Sequence, residues 1–169
     1  MTRPLALLAL AGALAAAPAL AEPMATDLGA LAIPPDLLSG PTFSRADEPG
    51  HLLLACIECG DGSAVDLTVA PGAGDRGTEG RVRSGETTAA DLQALCQARE
   101  PACTIDLLDV APAVGWISAW SMGATAVATA IVLRDGDQLT LRSIGPDPAR
   151  ARANADAVIA TLVPQIVGP

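Results

Sequence analysis

The sequence predicts an α+β domain: an antiparallel meandering sheet with a central helix and a C-terminal helix packed on it. Three observations predict it. Residues 114–142 read as consecutive strands punctuated by two turn signals, Gly123 and Asp135-Gly136. Residues 148–166 switch to helical spacing, with Ala155, Val158, Ile159, Leu162, Val163 and Ile166 on one stripe. A helix opened by Thr88, with Asp91 three residues on in near capping-box spacing, parts these strands from an earlier pair. Runs of strands and helices that do not strictly alternate define the α+β class.

Residues 1–21 read as a secretory signal peptide. Arg3 supplies the positive start, residues 5–17 are an uncharged Leu/Ala run, and Pro18 breaks it before Ala19-Leu20-Ala21. The run is short of the roughly 20 residues that span a bilayer, so cleavage before Glu22 is expected, with no stable membrane insertion. Residues 22–45 are rich in Pro, Gly and Ala and read as an extended arm with one helical turn at 35–38. Residues 46–169 then form a single α+β domain.

Within it, strands are expected at 52–57 and 64–70, joined by the turn residues Cys59-Gly60-Asp61-Gly62. Residues 71–80 hold four glycines and read as a mobile loop. The helix opened by Thr88 should cover 89–99 and bury Leu92, Leu95 and Cys96; a strand at 103–110 follows Pro101. Ser121-Met122-Gly123 reads as a three-residue hairpin loop, which sets Trp120 opposite Ala124, Ser118 opposite Ala126 and Trp116 opposite Ala128. Asp135-Gly136 is the preferred two-residue turn and pairs Val132 with Leu139 and Ala130 with Leu141. Together these registers put Trp116, Trp120, Ala126, Ala128, Ala130, Val132, Leu139 and Leu141 on one face. Asp147 caps the last helix with Pro148 at its first position, and Pro164 should kink or end it.

The hairpin AIVLRDGDQLTLRSI, followed directly by a C-terminal helix, resembles the PsbP-like fold over about residues 50–169. The resemblance lies in element order. It implies a small exported bacterial protein acting as a binding or assembly accessory, and it assigns no functional residue. The four cysteines lie outside its pattern.

Charge excludes some partners. Nineteen acidic residues face 10 basic ones, a net charge of −9, which repels nucleic acid and anionic membranes. The absence of Lys and Tyr beside abundant Ala, Gly, Pro and Arg points to a GC-rich bacterial genome, and with the leader to the periplasm. That compartment gives the cysteines their meaning. Cys56 and Cys59 form a C-x-x-C pair; Cys96 and Cys103 form a second close pair. Four cysteines allow three connectivities, and Cys56–Cys59 with Cys96–Cys103 is the expected one. The alternatives are a thiol-disulfide oxidoreductase or a metal site using Cys56 and Cys59.

Other motifs carry less. Gly72-Ala73-Gly74-Asp75-Arg76-Gly77 matches G-x-G-x-x-G, but residues 78–83 show no helix to receive a pyrophosphate. Trp120-Ser121-Met122-Gly123 echoes a nucleophile elbow without its first Gly, and the single His51 precedes Ser121 in the chain. Glu58, Asp61 and Asp66, and Asp135 with Asp137, are acidic turns expected to be solvated. Trp116 and Trp120 have two readings: core beneath the last helix, favoured by the alanines opposite them, or a stacking platform for a ligand. The expected protein is exported and non-catalytic, has no cofactor, and binds an unknown protein or small molecule.

Overall fold

In a computed structural model of the chain, the structure describes residues 22–169; the expected signal peptide at 1–21 lies outside them. Two antiparallel meanders join side by side into one seven-stranded sheet of order β1-β2-β3-β7-β6-β5-β4. The first comprises β1 (Thr42–Arg45), β2 (His51–Cys56) and β3 (Ala64–Ala70). The second comprises β4 (Thr104–Leu108), β5 (Val114–Met122), β6 (Thr125–Arg134) and β7 (Asp137–Gly145). Helices α1 (Arg76–Ser84) and α2 (Ala89–Gln97) carry the chain from the middle of the sheet to its far edge, and α3 (Pro148–Val167) closes it. The α+β class is thus observed, with the C-terminal helix packed on the sheet.

The core lies between α3 and one side of the sheet. Alternation in β2 and β3 buries Leu52, Leu54, Val65 and Leu67 on this side. Ala126, Ala128 and Ala130 of β6 meet a helix that is also small, with Ala151 and Ala155 fully buried beside Val158 and Leu162. Residues 22–41 complete the cover: Met24, Leu28 and Leu38 join the same core, and Ala25 N–H donates to Ile166 C=O at 2.8 Å. The arm is therefore packed, with a 3-10 turn at Leu28–Ala30 and the expected turn at 35–38. It ends sooner than expected, because Thr42–Arg45 pairs with β2 as an edge strand.

The Asp135-Gly136 hairpin is as the sequence predicts. Both central residues have positive φ (54° and 93°), and Val132 faces Leu139 while Ala130 faces Leu141. The β5–β6 hairpin is not. Met122 faces Thr125, so Gly123-Ala124 is a two-residue loop with positive φ at Gly123 alone, the II′ pattern. Trp120 then faces Val127, three residues beyond the expected Ala124. An odd shift moves every side chain of a strand to the other side of the sheet. Ile117 and Ala119 lie under α3, and both tryptophans lie opposite.

Three further expectations are corrected. The segment 71–80 is not a free loop: Arg76–Ser84 is helical despite Gly77 and Gly80. Asp75 caps its first turn, Gly85 closes it in the left-handed conformation, and Glu79 ties it to the β6–β7 turn, so tertiary contacts override weak propensity. In α2 the Thr88–Asp91 capping box forms and Leu92 is buried, but Leu95 is 67% exposed and Cys96 only half-buried, because α2 overhangs the sheet edge. Pro164 does not end α3; Ile166 and Val167 are buried in its final turn, and the Val167 carbonyl accepts from Arg134.

Candidate functional site

The side of the sheet opposite α3 holds the candidate site. Its residues fall into rows that cross the strands. One row runs Phe43, Ala55, Ala64, Ile144, Val127, Trp120. The next runs Arg45, Leu53, Asp66, Arg142, Thr129, Ser118, Ile105. A third runs His51, Thr68, Thr140, Ile131, Trp116, Leu107. Phe43, Ile144 and Leu107 are 49%, 40% and 47% exposed, and both tryptophans are half-buried.

At the β4 end, α2 leans over this side and borders an open groove of about 550 Å³. Its walls are Leu92, Leu95 and Ile105, with Trp116 and Trp120 flanking Ser118 on the floor. The volume and the apolar lining are those of a small-molecule cleft. Two features hold α2 in place. Cys96 of the helix is bonded to Cys103, with Cα atoms 5.8 Å apart. The Gln93 side chain donates to Cys103 C=O and accepts from Ile105 N–H, both at 2.6 Å. Gln93 thereby occupies backbone groups of β4 that an edge strand would otherwise present to another chain.

All four cysteines are paired as expected, Cys56–Cys59 and Cys96–Cys103. The first bridge sits at the end of β2 under the arm. A Cβ at Gly40 would lie 3.0 Å from both of its sulfurs, so any other residue would press the bridge or the arm aside by a few tenths of an ångström. Cys56 is 8% exposed. Between β2 and β4 stand five inter-strand steps, about 24 Å at the usual spacing. The two cysteine pairs are therefore too far apart to share one metal ion.

The remaining motifs are placed as follows. A helix does follow the G-x-G-x-x-G run, contrary to expectation, but the Asp75 carboxylate occupies its N-terminus, accepting from Gly77 N–H at 2.9 Å and from the Thr78 hydroxyl at 2.6 Å. That carboxylate takes the place a phosphate would need. Ser121 pairs with Ala126 in β5, four strands from His51 on β2. His51 Nε2 lies 2.6 Å from Asp66 Oδ2, and this hydrogen bond holds the imidazole above its ordinary pKa. Asp61 accepts from Ser63 N–H and meets Arg150; Asp137 accepts from the N–H groups of Met24 and Gly72. Among the described residues no cluster of His, Cys, Asp or Glu could hold a metal ion, and no helix is long and apolar enough to cross a membrane.

Sequence reasoning singled out Trp116 and Trp120 but not the groove beside them. Its other wall comes from α2, whose sideways placement over β4 is set by Gln93 and Cys103, and no short-range pattern announces that. No protein-family model matches the chain, and no curated protein is significantly similar to it.

Proposed function

We propose that this chain is an exported, non-catalytic binding or accessory protein of the bacterial periplasm, and that the tryptophan side of its sheet is the binding surface. One observation carries the reading. The chain has three aromatic residues besides its single His, namely two Trp and one Phe with no Tyr. All three, Phe43, Trp116 and Trp120, sit on the side that α3 does not cover, while the core is built of Leu, Ile, Val and Ala. Aromatic rings are the largest apolar side chains a core can use, and they are also the residues that anchor binding surfaces.

The paired cysteines support an oxidising compartment, and the leader-like start supports export. The alternative, a thiol-disulfide oxidoreductase acting through Cys56 and Cys59, has less support. The pair lies at the end of a strand beneath the arm and lacks the helix N-terminus that lowers a thiol pKa.

Tryptophan emission tests the surface. Iodide should quench both indoles, and Trp120→Ala should cost about 2 kcal/mol, roughly half the usual cost of deleting a fully buried ring. Blue-shifted emission inaccessible to iodide would refute it. For the compartment and chemistry, the exported protein should begin at Glu22, contain no free thiol, and fail to reduce insulin. Retention of Met1, or turnover with insulin, would overturn those parts.

A further inference from the structure

We propose that the groove between α2 and β5 binds a flat, apolar ring compound carrying one anionic group, such as an aromatic carboxylate or sulfonate, with the anion read by Arg99. The inference rests on the tryptophan side being a binding surface and adds what it binds.

The floor is shaped for a flat body. Trp116 and Trp120 stand four residues apart on one strand, about 13–14 Å along it at the usual rise. Between them on the same side is Ser118, whose small side chain leaves a notch flanked by the indoles. The Ser118 hydroxyl donates to Thr129 C=O, so the notch floor is already satisfied and suits an apolar face. Leu92 and Ile105 supply further apolar contact. The Cys96–Cys103 bridge fixes the α2 wall against β4 before any ligand arrives, which reduces the ordering that binding would otherwise require.

Charge selects the anion. Arg99 stands at the rim of the groove, just past the end of α2, and is exposed. Among the described residues its guanidinium meets no carboxylate; Arg76, Arg81 and Arg142 are likewise outside ion pairs, but of these four only Arg99 borders the groove. The one acid on the groove, Glu100, is turned to its own loop, where its Oε1 accepts from Ala102 N–H at 3.3 Å. An unpaired guanidinium beside two indoles suits a planar anion, which it can hold by a charge-assisted fork.

The probes are anilinonaphthalene sulfonate and its neutral counterpart phenylnaphthylamine, titrated into the disulfide-bonded protein with indole-to-probe energy transfer as readout. Both should bind and quench the indoles. Arg99→Gln, at an exposed position, should weaken the sulfonate about tenfold and leave the neutral probe within about twofold. Leu95→Glu, also exposed, sets a carboxylate at the rim and should weaken the sulfonate further. Trp120→Leu should weaken both probes about tenfold, checked at a temperature where the variant's near-ultraviolet circular dichroism is native. Equal sulfonate affinity in wild type and Arg99→Gln, or probe binding unaffected by Leu95→Glu and Trp120→Leu, would overturn the assignment. Indoles that iodide reaches but neither probe quenches would refute the ligand class and leave the binding surface standing. Indoles that iodide cannot reach would refute both.

Discussion

Glu79 gives the sharpest stability prediction. It is a charged residue 6% exposed, on a helix with little propensity of its own. Its Oε1 accepts from Asp135 N–H at 3.1 Å and from the Arg83 guanidinium at 2.7 Å; its Oε2 accepts from Gly136 N–H at 3.3 Å. One carboxylate thus satisfies both backbone donors of the β6–β7 turn and anchors α1 to it. Glu79→Ala strands two donors, each costing about 1–3 kcal/mol when left unpaired, while loss of the half-exposed Arg83 pair adds about 0.5 kcal/mol at most. Because Asp135 is exposed and its N–H can turn to water while Gly136 is buried, the expected total lies in the lower part of that sum, about 2–4 kcal/mol, a large share of the roughly 5–15 kcal/mol a domain possesses. Glu79→Gln keeps one acceptor oxygen and turns an N–H₂ on the other donor, so about 1–2 kcal/mol is expected.

The effect of pH follows from the same contacts. Burial would raise the Glu79 carboxyl, but the Arg83 guanidinium and the turn N–H groups outweigh it and hold the group below its ordinary value of 4.5. A depressed carboxylate contributes stability that is complete above its unfolded pKa and lost as pH falls through the folded one. Urea melts should therefore show the full gap between wild type and Glu79→Gln at neutral pH, and a shrinking gap well below 4.5. Equal stability of the two at neutral pH, or a gap that acid leaves unchanged, would refute the assigned role.

Two other substitutions test the packing. Replacing both Cys96 and Cys103 by Ala opens a bridge spanning seven residues and should cost about 2–3 kcal/mol in a urea melt; hydrogen exchange should show faster opening at the end of α2, and unchanged exchange there would refute the bridge as the anchor of that wall. Asn154 is 1% exposed, and neither amide atom has a partner in the protein; Asn154→Ala should raise stability by about 1 kcal/mol through removal of an unsatisfied group and better helix propensity, whereas a loss of stability would show that a buried water completes the amide.

The legible parts of the fold were those fixed by short-range chemistry. Asp135-Gly136 meets the type I′ demand for two positive φ values, so its register could be read directly. Thr88 with Asp91, and Asp147 with Pro148, announced two helix starts correctly. Close spacing, read with an expected oxidising compartment, sufficed for the disulfides. Gly123 marked a hairpin, but a left-handed glycine serves both a three-residue loop and a II′ turn. The flanking residues do not distinguish these, because Ala126, Ala128 and Ala130 make acceptable neighbours for tryptophan in either register. That one ambiguity moved Trp116 and Trp120 across the sheet. Helix α1 was missed because its support is long-range: Glu79 lies over 50 residues from the turn it holds.

An uncovered sheet side with apolar residues invites aggregation unless something breaks it up. Here the break is the middle row, where Arg45, Asp66, Arg142, Thr129 and Ser118 run between the two rows that carry the aromatic rings. Across β2, β3 and β7 the polar share rises further with His51, Thr68 and Thr140. Phe43 and Ile144 remain exposed on β1 and β7, but both indoles lie at the β4–β5 end, where α2 leans over them beside a groove and Gln93 occupies the strand edge. A surface evolved only to stay soluble would place no tryptophan there. Apolar residues also cross the other strands in the row from Phe43 to Trp120, but there no second ring stands beside the first and α2 does not lean over them. The concentration of both indoles beside one notch, with one unpaired guanidinium at its rim, favours a compact ligand over an extended one.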